Sequence, residues 1–136
     1  CGNKVLAQSL KSKVTTVDIW EKFSPDIVWN LNDIPLPFEN DSFDVVLIID
    51  VIEHLKKKKG LDLLEEAKRL CKKAVIVITP LWWTDNIENM MDEGSPYYQN
   101  PYERHQSLWE RKDFKGFEEI DELSFIGNYF VGVWKK

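Results

Sequence analysis

Cysteine and histidine are both scarce in this sequence, with two of each among 136 residues. Cys1 and Cys71 do not make a disulfide framework, and there is no CxxC pair. That usage predicts a reduced, cytoplasmic setting. No apolar run approaches the roughly 20 residues that span a bilayer, so no membrane segment is expected. The polar first residues do not read as a signal peptide. Basic charge is also in short supply. Eighteen Lys and Arg stand against 23 Asp and Glu, giving a formal net charge of −5 and a pI near 5.1. This balance argues against a domain-wide nucleic-acid footprint, which needs a net basic face. A run of four lysines, Lys56 to Lys59, reads either as a solvated loop leading into a helix or as a local contact for a phosphate or an acidic substrate.

What is present suits a folded domain. Hydrophobic residues make up 43% and aromatics 12% of the chain, enough for one core in a single domain over residues 1–136. Val5, Leu6 and Leu10 share helical spacing in a segment too short to hold without packing. Residues 13–20 (KVTTVDIW) are rich in β-branched side chains and read as a strand, as do residues 26–31 (DIVWNL). Residues 32–42 hold two prolines and a polar cluster, so they form a loop. The apolar run at 43–49 suggests a strand buried on both faces, as in the middle of a parallel sheet. Residues 60–71 place Leu61, Leu64, Ala67, Leu70 and Cys71 on one helical face, and residues 74–79 (AVIVIT) read as another strand, stopped by Pro80. Residues 81–107 lack periodicity, residues 109–115 suit a short helix, and residues 118–125 and 128–134 suit a closing strand pair.

Strands alternating with helices imply a three-layer α/β fold with a mostly parallel sheet. In such sheets ligands bind outside the carboxyl ends of the strands, where Asp18, Asn30, Asp50 and Thr79 fall. Asp18 is placed either to accept hydrogen bonds from ribose hydroxyls or to cap a turn. Asn30 is placed either to pair with an adenine edge or to close a turn.

The segments CG, VDIW, DIVWNLNDIPLPFENDSFDVVLIIDVIEHL and AVIVITP together resemble the class I methyltransferases that use S-adenosylmethionine, over roughly residues 1–80. The resemblance implies a Rossmann-like three-layer sandwich with a mostly parallel central sheet and an antiparallel C-terminal strand pair. It implies S-adenosylmethionine as cofactor. Gly2 would pack against its methionine portion, Asp18 with Ile19 beside it would bind the ribose, Asn30 and Leu31 would flank the adenine, and Ile49 and Asp50 would lie near the methionine amino group. The first strand and first glycines of the family's motif have no counterpart here, and are expected to lie upstream of Cys1.

Asp50, Glu53 and His54 stand at i, i+3 and i+4. If a helix starts at residue 50 they share one face. With His105 they offer two oxygen and two nitrogen ligands to a divalent metal, and the small-RNA 3′-terminal ribose methyltransferases have a similar segment, with Glu where this chain has Asp50. The other expectations for His54 and His105 are general-base catalysis or a structural role. Methyl transfer itself asks mainly that the acceptor be aligned. Trp82, Trp83, Tyr97, Tyr98, Tyr102 and Trp109 divide between core and an acceptor pocket, and Arg104 and Arg111 are candidates to hold an anionic group on the acceptor. The leading expectation is methyl transfer to a small-molecule or glycan-type acceptor. A metal-assisted RNA 3′-terminal methyltransferase, a catalytically silent cofactor-binding or scaffold module, and a nicotinamide-dependent oxidoreductase are the competing readings.

Overall fold

The computed structural model describes residue 2 and residues 4–120 and 128–136. In chain order these form a short helix α1 (Val5–Ser9), strands β1 (Val17–Asp18), β2 (Ile27–Val28) and β3 (Phe43–Ile49), helix α2 (Lys57–Leu70), strand β4 (Cys71–Pro80), a short helix α3 (Ile87–Met91), and strands β5 (Glu118–Glu119) and β6 (Tyr129–Lys135). Single 3-10 turns sit at Glu21–Phe23, Ile52–His54 and Arg111–Asp113.

The fold is mixed α/β and Rossmann-like. β1 and β2 pair in parallel as a two-stranded sheet, and a four-stranded sheet has the order β3-β4-β6-β5. β3 and β4 are parallel, joined through α2, while β6 runs antiparallel to both β4 and β5. Three of its four strands therefore point the same way, and the chain closes with the expected antiparallel pair. Residues 121–125 of the strand expected at 118–125 lie outside the described residues.

The strands expected at 13–20 and 26–31 shrink to two residues each. Their pairing is confined by a side-chain lock: Asp26 accepts from the Thr16 N–H and hydroxyl, both at 2.7 Å, and its own N–H donates to Thr16 Oγ1 at 3.0 Å. β3 has the expected ends but not the expected burial. Ile48 is buried, whereas Val45 and Leu47 on the opposite face are exposed. Among the described residues β3 is an edge strand paired only to β4, so the two sheets share no ladder.

Helix α2 starts three residues before the sequence suggests, and this changes its buried stripe. Gly60, Leu63, Leu64, Ala67 and Leu70 face the core, at the i, i+3, i+4, i+7 spacing of an amphipathic helix. Leu61 is exposed, and Cys71 takes extended geometry and opens β4. Lys57–Lys59 in the first turn oppose the helix dipole, whereas Lys68 and Arg69 in the last turn favour it. The adverse end is offset by Lys57, which pairs with Asp113 and lies over the Trp109 ring, 4.0 Å from its centroid. Lys59 donates to the Asn32 carbonyl at 2.8 Å. Part of the lysine run therefore fastens the helix in place.

Glu66, buried on α2, fixes the proline loop. Its Oε1 accepts from Leu36 N–H at 2.7 Å and from Arg69 Nη2 at 2.6 Å, while Arg69 Nη1 reaches the Phe38 carbonyl at 3.0 Å. Trp109, fully buried, packs against the first turn of α2. A Cβ at Gly60 would sit 2.4 Å from Trp109 Cζ2. In a helix interior Gly→Ala ordinarily stabilises by about 1 kcal/mol. Here the sign reverses: Gly60→Ala is expected to cost roughly 1–3 kcal/mol through overpacking, read as a lower midpoint in urea unfolding.

Candidate active site

The strand ends meet as the fold requires. At the end of β1, Asp18 Oδ2 accepts from the Gly2 N–H at 3.2 Å and Oδ1 from the Trp20 N–H at 2.9 Å. Gly2 has φ +50°, a left-handed conformation that favours glycine, and a Cβ there would lie 3.5 Å from the Tyr97 hydroxyl. Tyr97 in turn packs edge-on against Phe23, and Phe23 against Trp20, with centroids 5.6 and 4.8 Å apart. The aromatic loop after β4 thus reaches back to Gly2 and β1. Ile19 is half-buried beside Asp18. Asn30 uses its Oδ1 within its own turn, accepting from Asn32 N–H at 3.0 Å and Asn32 Nδ2 at 2.9 Å, and Leu31 packs against the core.

At the end of β3, Ile49 pairs in register with Ile78, and the Asp50 N–H donates to the Ile78 carbonyl at 3.0 Å. Asp50 then turns left-handed, with φ 48°. A non-glycine residue there carries strain of a kind that gathers at functional sites. The Asp50 side chain is exposed to solvent, yet enough protein surrounds it for desolvation to raise its carboxyl above the usual range.

This left-handed turn corrects the helical-face expectation for Asp50, Glu53 and His54. No helix begins at residue 50. Ile52–His54 is one 3-10 turn, and α2 starts only at Lys57. The side chains brought together are Glu53, His54 and His105, each offering a ligand atom within 4.8 Å of the others, and Asp50 is not part of that group. The two imidazoles meet edge-on with centroids 4.8 Å apart.

Glu53 is fully buried, and its Oε2 accepts from the Thr79 hydroxyl at 2.8 Å. Burial, with Asp50 nearby, pushes its carboxyl up to about 7. Burial also pushes His54 down, and its Nδ1 is buried with no hydrogen-bond partner among the described residues. His105 is pushed down to about 4, first by burial and then by its neighbour His54. Its Nε2 lies 3.0 Å from Asn86 Nδ2. The charge of Asp18 acts on His54, Tyr97 and Glu103, and that of Asp50 acts on Glu53, Tyr97 and Glu103. The acids of the strand ends and the histidine cluster therefore occupy one electrostatic neighbourhood.

His105 arrives there on an extended segment, residues 103–109, in which Glu103, His105, Ser107 and Trp109 are buried while Arg104, Gln106 and Leu108 are exposed. Backbone bonds hold it to the 3-10 turn. The N–H groups of Gln106 and Ser107 donate to the Glu53 carbonyl at 2.7 and 3.1 Å, and Gln106 Nε2 donates to the His54 carbonyl at 2.8 Å. Glu103 accepts from Asn86 Nδ2 at 3.4 Å and Asn89 Nδ2 at 3.2 Å. Sequence reasoning singled out neither Glu103, Ser107 nor Asn86. No alternation of residue type marks them: the buried side of 103–109 is as polar as the exposed side, and Asn86 lies outside that segment. Arg111 bonds Glu119 at 2.9 and 3.0 Å, which commits it to a surface pair. Trp109 is core, and Trp82 stacks edge-on with Tyr129 at 4.9 Å while remaining partly exposed.

Residues 1–79 match a family described as "Methyltransferase domain". No curated protein matches the chain. No helix among the described residues is long and apolar enough to cross a membrane.

The buried carboxyl has a measurable signature. Glu53 titrates near 7 in the folded chain and near 4.5 unfolded, so its contribution to stability is full below about 4.5 and is lost as pH rises through 7. His105 has the opposite sign, its contribution being present above 6.5 and lost as pH falls toward 4, but it is common to wild type and a Glu53 variant and cancels in their difference. Glu53→Gln should therefore gain stability relative to wild type between pH 5 and pH 8, by on the order of 3 kcal/mol at most. Denaturant unfolding in chelator-containing buffer at both pH values checks it, and a pH-independent difference would refute it.

Proposed function

Because the chain belongs to the class I S-adenosylmethionine-dependent methyltransferase domains, we propose that it transfers a methyl group to a small-molecule or glycan-type acceptor, in the cytoplasm. The observation that carries this reading is the convergence at the strand ends. Asp18, bonded to the N–H of left-handed Gly2, shares one electrostatic neighbourhood with Asp50 and with the Glu53–His54–His105 cluster.

The residues fit the cofactor. A carboxylate at the end of β1, as Asp18 provides, suits hydrogen bonds from two ribose hydroxyls, and the missing side chain at Gly2 leaves its backbone approachable. Gly2, Asp18, Ile19, Asn30, Leu31, Ile49 and Asp50 would hold it. Asn30 would meet the adenine through its backbone or through release from its turn, because its Oδ1 is engaged by Asn32. The cofactor supplies an activated methyl on a sulfonium whose sulfur takes the bonding electron pair as the methyl leaves.

The chain supplies alignment and handling of the acceptor's proton. As the acceptor's oxygen or nitrogen bonds to the methyl carbon, its own proton must depart. His54 and His105 are the groups that engage that O–H or N–H, beside Asp50 at the cofactor end. Trp82 and Trp83, exposed just beyond the end of β4, and exposed Tyr102 offer apolar surface to the rest of the acceptor. Exposed Arg104 is the cation left to meet an anionic group.

Calorimetric titration of S-adenosylhomocysteine tests the reading. Binding is expected, and Asp18→Ala should weaken it about tenfold to a hundredfold, the loss of hydrogen bonds to a charged group. A folded chain that gives no heat would instead be a silent module. Replacing His105 with Ala should lower kcat by about a hundredfold or more while leaving S-adenosylhomocysteine affinity in place. Loss of both together would make His105 part of the cofactor site.

A further inference from the structure

We infer that Glu53, His54 and His105 form the binding site for one divalent transition-metal ion of borderline hardness, of the zinc and cobalt class. The inference rests on the proposed methyl-transfer site and deepens it: coordination, not direct proton capture, would then activate the acceptor, and both imidazoles would serve as ligands.

Three observations converge. First, one carboxylate and two imidazoles present ligand atoms all within 4.8 Å of one another. Ligands bound at about 2.1 Å lie roughly 3–4 Å apart, so side-chain shifts near one ångström close the set. Second, His54 Nδ1 is buried and has no hydrogen-bond partner among the described residues. A buried ring nitrogen left unsatisfied is uncommon in folded proteins and asks for an occupant. Third, Glu53 has an outer partner that fixes its orientation, the Thr79 hydroxyl, which donates to Oε2 at 2.8 Å. Metal ligands are regularly held this way.

The donor set selects the class of ion. Two nitrogens and one oxygen suit zinc or cobalt better than calcium, magnesium or manganese, which prefer oxygen ligands. Three protein ligands leave a coordination position open, the arrangement of catalytic sites. An acceptor with a hydroxyl or carbonyl oxygen beside the methyl donor is the chemical class that would fill it. Asp50, which the sequence pattern alone would include, stays outside.

Cobalt(II) chloride is the probe, added to the untagged, chelator-treated chain. The chain has only two histidines, so proton spectra need no variants: both imidazoles should shift or broaden together at one equivalent, with visible cobalt absorption. Glu53→Gln and His105→Ala, shown folded by circular dichroism, should each weaken binding at least about tenfold, and Asp50→Asn should leave the absorption in place. Unperturbed histidine signals at saturating cobalt, or equal affinity in both ligand variants, would overturn the site. S-adenosylhomocysteine titrated into the same metal-free sample separates the two readings. Heat from S-adenosylhomocysteine without histidine shifts from cobalt removes the metal and keeps the methyltransferase, and the reverse result removes the methyltransferase and keeps the metal.

Discussion

The Ser107 hydroxyl lies 2.8 Å from the Leu55 carbonyl and 3.3 Å from that of Ile52, and it accepts from Trp109 Nε1 at 3.0 Å. Around this one buried group the 3-10 turn after β3, the extended segment 103–109 and the first turn of α2 are held in a fixed relation. The Ile52 carbonyl accepts from the Leu55 N–H within the 3-10 turn at 3.1 Å, and the Leu55 carbonyl is taken up by the Ser107 hydroxyl. This tie, 52 residues along the chain, helps to hold Glu53 and His54 facing His105. Trp109, seated against Gly60, supplies the apolar burial that keeps the segment in place.

Much of the frame is legible in the sequence, because it rests on local pattern. The run FDVVLII becomes β3 with the expected ends, and the i, i+3, i+4 stripe of α2 survives a three-residue shift of its start. The candidate site is legible only in part. Glu53, His54 and His105 could be named as chemistry-bearing residues, yet their grouping depends on the left-handed turn at Asp50, which no propensity for aspartate at a strand end dictates. Asn86, Glu103 and Ser107 act through long-range bonds to the 3-10 turn and to one another, and a segment with no regular hydrogen-bond ladder leaves no period to read. The β1–β2 strands shrink for a related reason. The Thr16–Asp26 lock replaces ladder bonds with side-chain bonds, which β-propensity does not register.

Electrostatically the strand ends are crowded with acids. Asp18, Asp50, Glu53 and Glu103 act on overlapping sets of neighbours, and desolvation raises Glu53 and Glu103. Such a cleft disfavours added negative charge and favours a cation. Under the proposed reaction the donor carries a sulfonium charge that its product lacks, so the same field would hold substrate more firmly than spent cofactor. A bound divalent ion would draw on that field as well, and Glu53 would be the carboxylate it captures.

The alternation along residues 103–109 divides the segment into two independent surfaces. Its buried side, Glu103, His105, Ser107 and Trp109, is tied to the scaffold by named bonds. On the outward side, Arg104 and Leu108 face solvent, and among the described residues the Arg104 side chain makes no hydrogen bond or ion pair. Substitutions on that side would alter what approaches the histidines while leaving the anchorage untouched. An enzyme built this way can diverge in the molecules it accepts without renegotiating its fold.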